Sequence, residues 1–300
     1  MNKDFYGLPI VTLENAYLRV DALAQAGPRV VRAFVHGISE NLFAELPGLK
    51  IETPLGDFSM QGGHRLWHAP EAMPRTYAQD DFGLTVEEHD GSLTLTSAVE
   101  LLTGMRKTVE IKLMPDRTGL TIRHTLINQG LWPVEIACWA ITQLPLGGLA
   151  ILPQPTQPAD EHGLLPNRSL TLWSYARWGD QRLRLHDDYL LLRGEAEVPP
   201  FKVGYLNPHG WLGYLRKGVL FVKRFDPQLS LPHPDRNCNA EVYVNHLFLE
   251  AESLGPLVRL EPGQSTAHLE TWEFYNGLEE IPFTLTGVRT LVKQLGLDQP

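Results

Sequence analysis

The sequence predicts an all-β protein, an antiparallel sandwich of sheets with one short C-terminal helix. Three observations carry this. Between residues 83 and 128, short stretches rich in Val, Leu, Ile and Thr follow one another at regular spacing. The breaks between them are turn chemistry, such as His89-Asp90-Gly91 and the run from Pro115 to Gly119. Evenly spaced short strands with such punctuation indicate a sandwich or barrel. Helical periodicity surfaces only over 287–295, where Val288, Leu291, Val292 and Leu295 recur at spacings of three and four.

Taken in order, residues 16–20 and 29–35 read as strands joined by the turn Ala26-Gly27-Pro28. Residues 50–63 read as a loop, with Pro54, Gly56 and the pair Gly62-Gly63. The segment GGHRLWHAPE, 62–71, follows. Two glycines let the backbone bend sharply or approach another group closely. His64, Arg65, Trp67 and His68 then crowd into five residues. Arg offers a planar fork of donors and Trp a flat apolar face, a pairing suited to a polyhydroxylated ligand. A core Trp with solvated His and Arg around it is the other reading. Pro70 and the glycines argue against a helical His-x-x-x-His metal site, and Arg65 stands where a zincin needs Glu.

Strands are expected over 83–88, 92–101, 107–114, 120–128 and 134–142, the last with Trp139 in its middle. The proline-rich stretch 145–166 reads as a long surface loop covering a site, with a domain linker as the other reading. Residues 170–173 look extended, and Trp178-Gly179-Asp180 makes a turn with an exposed aromatic. Residues 201–225 read as strand, turn, strand, turn, strand. Lys202 lies at the start of the first, either snorkelling to solvent or pointing inward to hold a hydroxyl or carboxylate.

The chain is organised around 237–273. Residues 241–252 read as one continuous strand whose apolar residues fall on both parities, as in a strand covered on both faces. It ends in Glu250 and Glu252, which period two puts on one face. Either the strand has reached solvent there, or one carboxylate faces a polar pocket where its pKa is raised for proton transfer.

With 300 residues, 43% hydrophobic and 20% charged, this is the composition of an ordinary globular protein, with length for one large β domain or two smaller ones. Strands of the same style on both sides of 145–166 favour a single domain. A net charge of −9 leaves no basic footprint for nucleic acid or an anionic membrane. No run approaches the roughly 18 apolar residues of a membrane span, and the N-terminus lacks a signal-peptide core, so a cytoplasmic protein is expected. Cys138 and Cys238 lack metal spacing; buried inert thiols are the default, with a disulfide left open. There is no phosphate loop and no nucleophile motif, and neither a metal nor a cofactor is expected. An exposed edge strand would permit a homodimer.

Read as a series, these motifs resemble a family. Gly-Pro-Arg-Val-Val is followed by Asn-Leu-Phe, GGHRLW with APE, LINQGLWPVEIACWAITQL, and finally LFLEAESLGPLVRLEPGQSTAHLETWEFY. Their order is similar to that of the galactose mutarotase-like superfamily of aldose 1-epimerases, over roughly 16–275. The resemblance implies a β-supersandwich that binds a small saccharide. It also implies general acid–base interconversion of anomers without metal or nucleotide. By position before the turn Leu260-Glu261-Pro262-Gly263, the base would be Glu250, with Glu252 as second choice. His64 would be the acid, with His68 and His209 as alternatives. Arg65, Trp67, His68, Trp139, Lys202 and Glu252 would contact the sugar. One departure stands out: Trp139 occupies the place of the family's acid histidine, and an indole delivers no proton at neutral pH. A non-catalytic carbohydrate-binding protein is the alternative this implies.

Overall fold

The computed structural model describes residues 4–278 and 281–298. Among these, strands form an 11-stranded and a 10-stranded sheet, plus a two-stranded ribbon, and every pairing is antiparallel. The two large sheets pack face to face. The largest apolar cluster lies between them, with Leu66, Ile136 and Leu249 from one sheet meeting Leu126, Phe221 and Trp272 from the other. The fold is thus the all-β sandwich the sequence predicts. The C-terminal helix, Leu285–Gln294, is capped by the Thr284 side chain and buries Val288, Leu291 and Val292. No helix among the described residues is long and apolar enough to cross a membrane.

The strand read over 92–101 ends at Thr96, and three further stretches differ in kind from the sequence reading. Residues 50–63 are not a loop: Glu45–Ile51 and Phe58–Gly62 pair as the separate ribbon. Within 145–166, Leu149–Pro153 is a fully buried strand of the second sheet, and only the residues beyond it run irregularly. Proline there marks the strand's end, not a loop throughout. Residues 241–252 are two strands, Ala240–Val244 and Phe248–Leu254, folded back on each other. The turn is made by Asn245, whose Oδ1 accepts from the amides of Leu247 at 2.7 Å and Phe248 at 2.9 Å.

The paired glycines have the reason the sequence suggests. Gly62 and Gly63 have φ of +89° and +68°. A Cβ on Gly63 would lie 2.1 Å from the Val30 carbonyl oxygen, so only glycine admits this approach. Beyond the pair the chain enters His64–Ala69, a strand buried along its whole length between Arg29–Val35 and Val134–Pro145. Both cysteines are buried and free.

Candidate functional site

Five adjacent strands of the larger sheet build the site: His64–Ala69, Val134–Pro145, Phe248–Leu254, Ala240–Val244 and Phe201–Tyr205. Strand alternation decides which side chains meet. Arg65 and Trp67 point to the sheet's outer face, where they line a cavity of about 400 Å³. Trp139 is the direct cross-strand neighbour of Trp67, their rings 5.5 Å apart in an edge-to-face arrangement. Tyr77, Tyr175 and Tyr243 add aromatic wall.

Glu250 belongs to this cavity. Arg65 Nη2 donates to its Oε1 at 2.8 Å, and Gln143 Nε2 donates to the same oxygen at 3.0 Å. Gln143 sits directly opposite Glu250 in the register. The Arg65 guanidinium also lies over the Trp67 ring, 4.1 Å from its centroid. Burial raises the Glu250 pKa; Arg65 opposes that, and the Glu252 charge adds to it. The carboxylates at this strand end are therefore buried, not solvated.

Glu252, fully buried, accepts from Trp139 Nε1 at 2.6 Å and from Lys202 Nζ at 2.9 Å. Lys202 points inward, settling the choice left open by the sequence. Its ammonium lies 2.7 Å from Glu241 Oε2 and is sandwiched over the rings of Trp139 at 4.6 Å and Trp173 at 4.5 Å. Burial opposes that charge, but the two glutamates outweigh it and keep the lysine protonated. Gly204 makes room for this cluster: a Cβ there would meet Glu241 Cγ at 2.8 Å.

His64 and His68 go elsewhere. Alternation turns both to the opposite face of the same strand, away from the cavity, so neither is placed as the acid or as a ligand contact there. His64 Nδ1 is bonded to the Thr142 hydroxyl at 2.9 Å, and its Nε2 to His124 Nε2 at 2.7 Å, between the sheets. His124 Nδ1 donates to the His268 carbonyl at 3.1 Å, so its Nε2 accepts and His64 Nε2 carries the proton. Glu270 lies close enough to complete a metal-type triad with these rings. Yet every ring nitrogen is already partnered, and Lys223 Nζ occupies Glu270 at 3.0 Å. The same ammonium donates to the carbonyls of Ala140 and Ala251, stapling one sheet to the other. His209 is exposed and bonded to the Gln154 carbonyl.

The histidine that does line the cavity is His246, exposed on the turn between the two hairpin strands. The sequence reading missed it by running one strand through Asn245-His246. That polar pair in an apolar run was the available signal. Glu241 was missed for the same reason: only the hairpin sets it opposite Glu252. The cavity brings together Glu250, Arg65, Trp67, Trp139 and Lys202, which the sequence grouped, and adds His246. Glu252 lies fully buried behind Trp139 and Lys202 and does not line it, and His64 and His68 face away.

The fold defined by these sheets is that of the galactose mutarotase-like β-sandwiches. Among solved structures, the chain superposes on a galactose mutarotase-like protein from Lactobacillus casei with 12% identity and a TM-score of 0.56, covering 89% of this chain and all of that one. A putative aldose 1-epimerase from Klebsiella pneumoniae gives 9% identity and a TM-score of 0.60, covering 98% of this chain and 84% of that one. A TPR-domain containing protein from Parabacteroides distasonis gives 14% identity and a TM-score of 0.64 over 91% of this chain; the chain spans about half, 48%, of that protein's length. At these identities the likeness is one of fold. No family model and no curated protein matches the chain.

Proposed function

We propose that the protein binds a saccharide in the cavity floored by Trp67 and Trp139 and interconverts its anomers. One observation carries this reading. Among the described residues, both protein hydrogen bonds to Glu250 converge on Oε1, leaving Oε2 open to a ligand in the cavity that His246 also lines. A sugar lying on the indoles places C–H faces on apolar surface and hydroxyls toward the polar walls. Glu250 takes the proton of the anomeric hydroxyl, and His246 gives one to the ring oxygen. The C–O ring bond breaks and the free aldehyde forms; rotation and the reverse transfers close the other anomer. Arg65 fixes the orientation of Glu250, and burial makes that carboxylate a stronger base than one in water.

A second reading, binding without turnover, is favoured by the Arg65–Glu250 ion pair, which holds the carboxylate in place much as a binding site would. NMR exchange spectroscopy on a panel of aldoses separates the two. Acceleration that Glu250→Gln lowers by about 10²-fold or more supports catalysis. Binding with no acceleration of any aldose leaves only the second reading. No binding of any saccharide ends both.

A further inference from the structure

The strand that gives Arg65 and Trp67 to one cavity turns His68 toward another. This second cavity, of about 570 Å³, lies between the loop after His64–Ala69 and the loop around Leu102. Its wall is largely apolar, formed by Leu102, Met105, Val134 and Ile136. The half-buried Arg75 guanidinium also lines it. A chain of buried charge ends at that group. Lys107 Nζ lies 2.5 Å from Glu100 Oε1, and His68 Nε2 is 3.1 Å from Glu100 Oε2. Arg75 Nη1 donates to His68 Nδ1 at 2.9 Å. Arginine only donates, so His68 accepts at Nδ1 and carries its proton on Nε2, facing Glu100.

Glu100 is thereby answered by Lys107 and His68. Arg75 is left, among the described residues, with a carbonyl and an imidazole as partners and no carboxylate within ion-pair distance. Glu135 lies on the rim, exposed and unpaired with it. Partial burial of a guanidinium whose nearby carboxylate, Glu100, is bonded to His68 and Lys107 instead is a desolvation that an incoming anion offsets. Burial lowers the Arg75 pKa, and the Glu100 charge opposes this only in part. The rim is fixed: the Glu100 amide donates to the Met105 carbonyl and the Gly104 amide to the Glu100 carbonyl, both at 2.8 Å. We propose that this cavity is a second binding site, taking a small apolar molecule with a single carboxylate, its anion on Arg75 and its body against Leu102, Met105, Val134 and Ile136.

Octanoate is a suitable probe, titrated into the whole protein carrying labelled Ile, Leu, Val and Met methyl groups. The expected result is saturable shifts in the methyl signals of Leu102, Met105, Val134 and Ile136. Arg75→Gln should weaken binding about tenfold, and octanol should bind less well than octanoate by a similar factor. Since Arg75 also supports the Pro70 carbonyl, Leu102→Asp on the half-exposed rim gives an independent variant, expected to weaken octanoate likewise. Glu250→Gln, in the other cavity, should leave octanoate binding unchanged. No shifts at millimolar octanoate, shifts centred instead on Ile51, Met60 and Leu247 of the first cavity, or binding that survives both Arg75→Gln and Leu102→Asp would each overturn the proposal.

Discussion

Glu241 and Glu252 face each other directly across a hairpin, and one ammonium, Lys202 Nζ, joins them at 2.7 and 2.9 Å. Both carboxylates are fully buried, and burial pushes the Glu241 pKa well above the ordinary carboxylate range. Removing one member of a buried charge cluster leaves the others uncompensated, at roughly 3–5 kcal/mol. We therefore expect Lys202→Met to destabilise the fold by about that much. Adding Glu252→Gln should restore part of it, because one fewer buried charge then lacks a partner. Urea unfolding of both variants checks this; a Lys202→Met loss below about 1 kcal/mol would show that the cluster is not held by the lysine.

Much of this architecture is legible in the sequence. Period-two patterning and turn residues locate the strands from 85 to 128 and from 201 to 225 within a few positions. The grouping of Arg65 with Glu250, 185 residues apart, also holds at 2.8 Å. What fails does so for physical reasons. The run Val-Tyr-Val-Asn-His-Leu-Phe-Leu is apolar on both sides of its turn, so propensity alone does not show that the chain reverses at Asn245. Leu149–Pro153 carries a strand inside a proline-rich stretch because its proline falls at the strand's end. His64 and His68 share a segment with Arg65 and Trp67, but alternation sends them to the other face. That assignment follows only once the segment is known to be a strand and not a loop.

The histidines between the sheets predict acid lability. Burial lowers all three: His64 well below its usual value of 6.5, His124 to about 4 and His268 to about 3. Above pH 6.5 both folded and unfolded chains hold them neutral, and they contribute no pH dependence. Below it the unfolded chain takes up protons that the folded chain refuses, so stability falls as pH falls. Each histidine contributes a slope of about 1.4 kcal/mol per pH unit, levelling off for His124 below about 4. Glu100, held near 2, and Glu270, also lowered, add losses in the same direction below the ordinary carboxylate value of 4.5. Glu241 and Glu250, raised by burial, act in the opposite sense over that range, so the histidine contribution is read by difference. Urea midpoints of His124→Gln should fall less between about pH 7 and pH 5 than those of the unaltered protein, and an identical profile would refute a neutral His124 in the core.

If Glu250 is the proton acceptor, its raised pKa fixes the acid limb of the rate profile. The carboxylate form is required, and it is lost on acidification at a pH above the ordinary 4.5. kcat/KM for anomer interconversion should therefore fall on the acid side with a midpoint above that value. Arg65→Met removes the cation that opposes the rise, so its midpoint should move further upward. A midpoint that Arg65→Met moves downward, or leaves in place, would detach the limb from Glu250.

If the cavity binds a saccharide, its charges select among ligands. Its lining includes two cations, Arg65 and Lys202, and each is already paired, with Glu250 at 2.8 Å and with Glu241 and Glu252 at 2.7 and 2.9 Å. Glu71 on the rim adds an exposed carboxylate held by the Tyr77 hydroxyl. A sugar phosphate entering here meets carboxylates without an unpaired cation, in a partly desolvated space where like charges repel more strongly than in water. Neutral aldoses should bind at least about tenfold more tightly than their 6-phosphates, a difference of roughly 1.4 kcal/mol. Glu71→Gln should narrow that gap by removing one repulsive charge from the entrance. Calorimetric titration of glucose and glucose 6-phosphate into both proteins reads the ratio directly. A wild-type preference for the phosphate would mean that Arg65 or Lys202 leaves its glutamate to take the ligand, contradicting the pairing on which the selectivity rests.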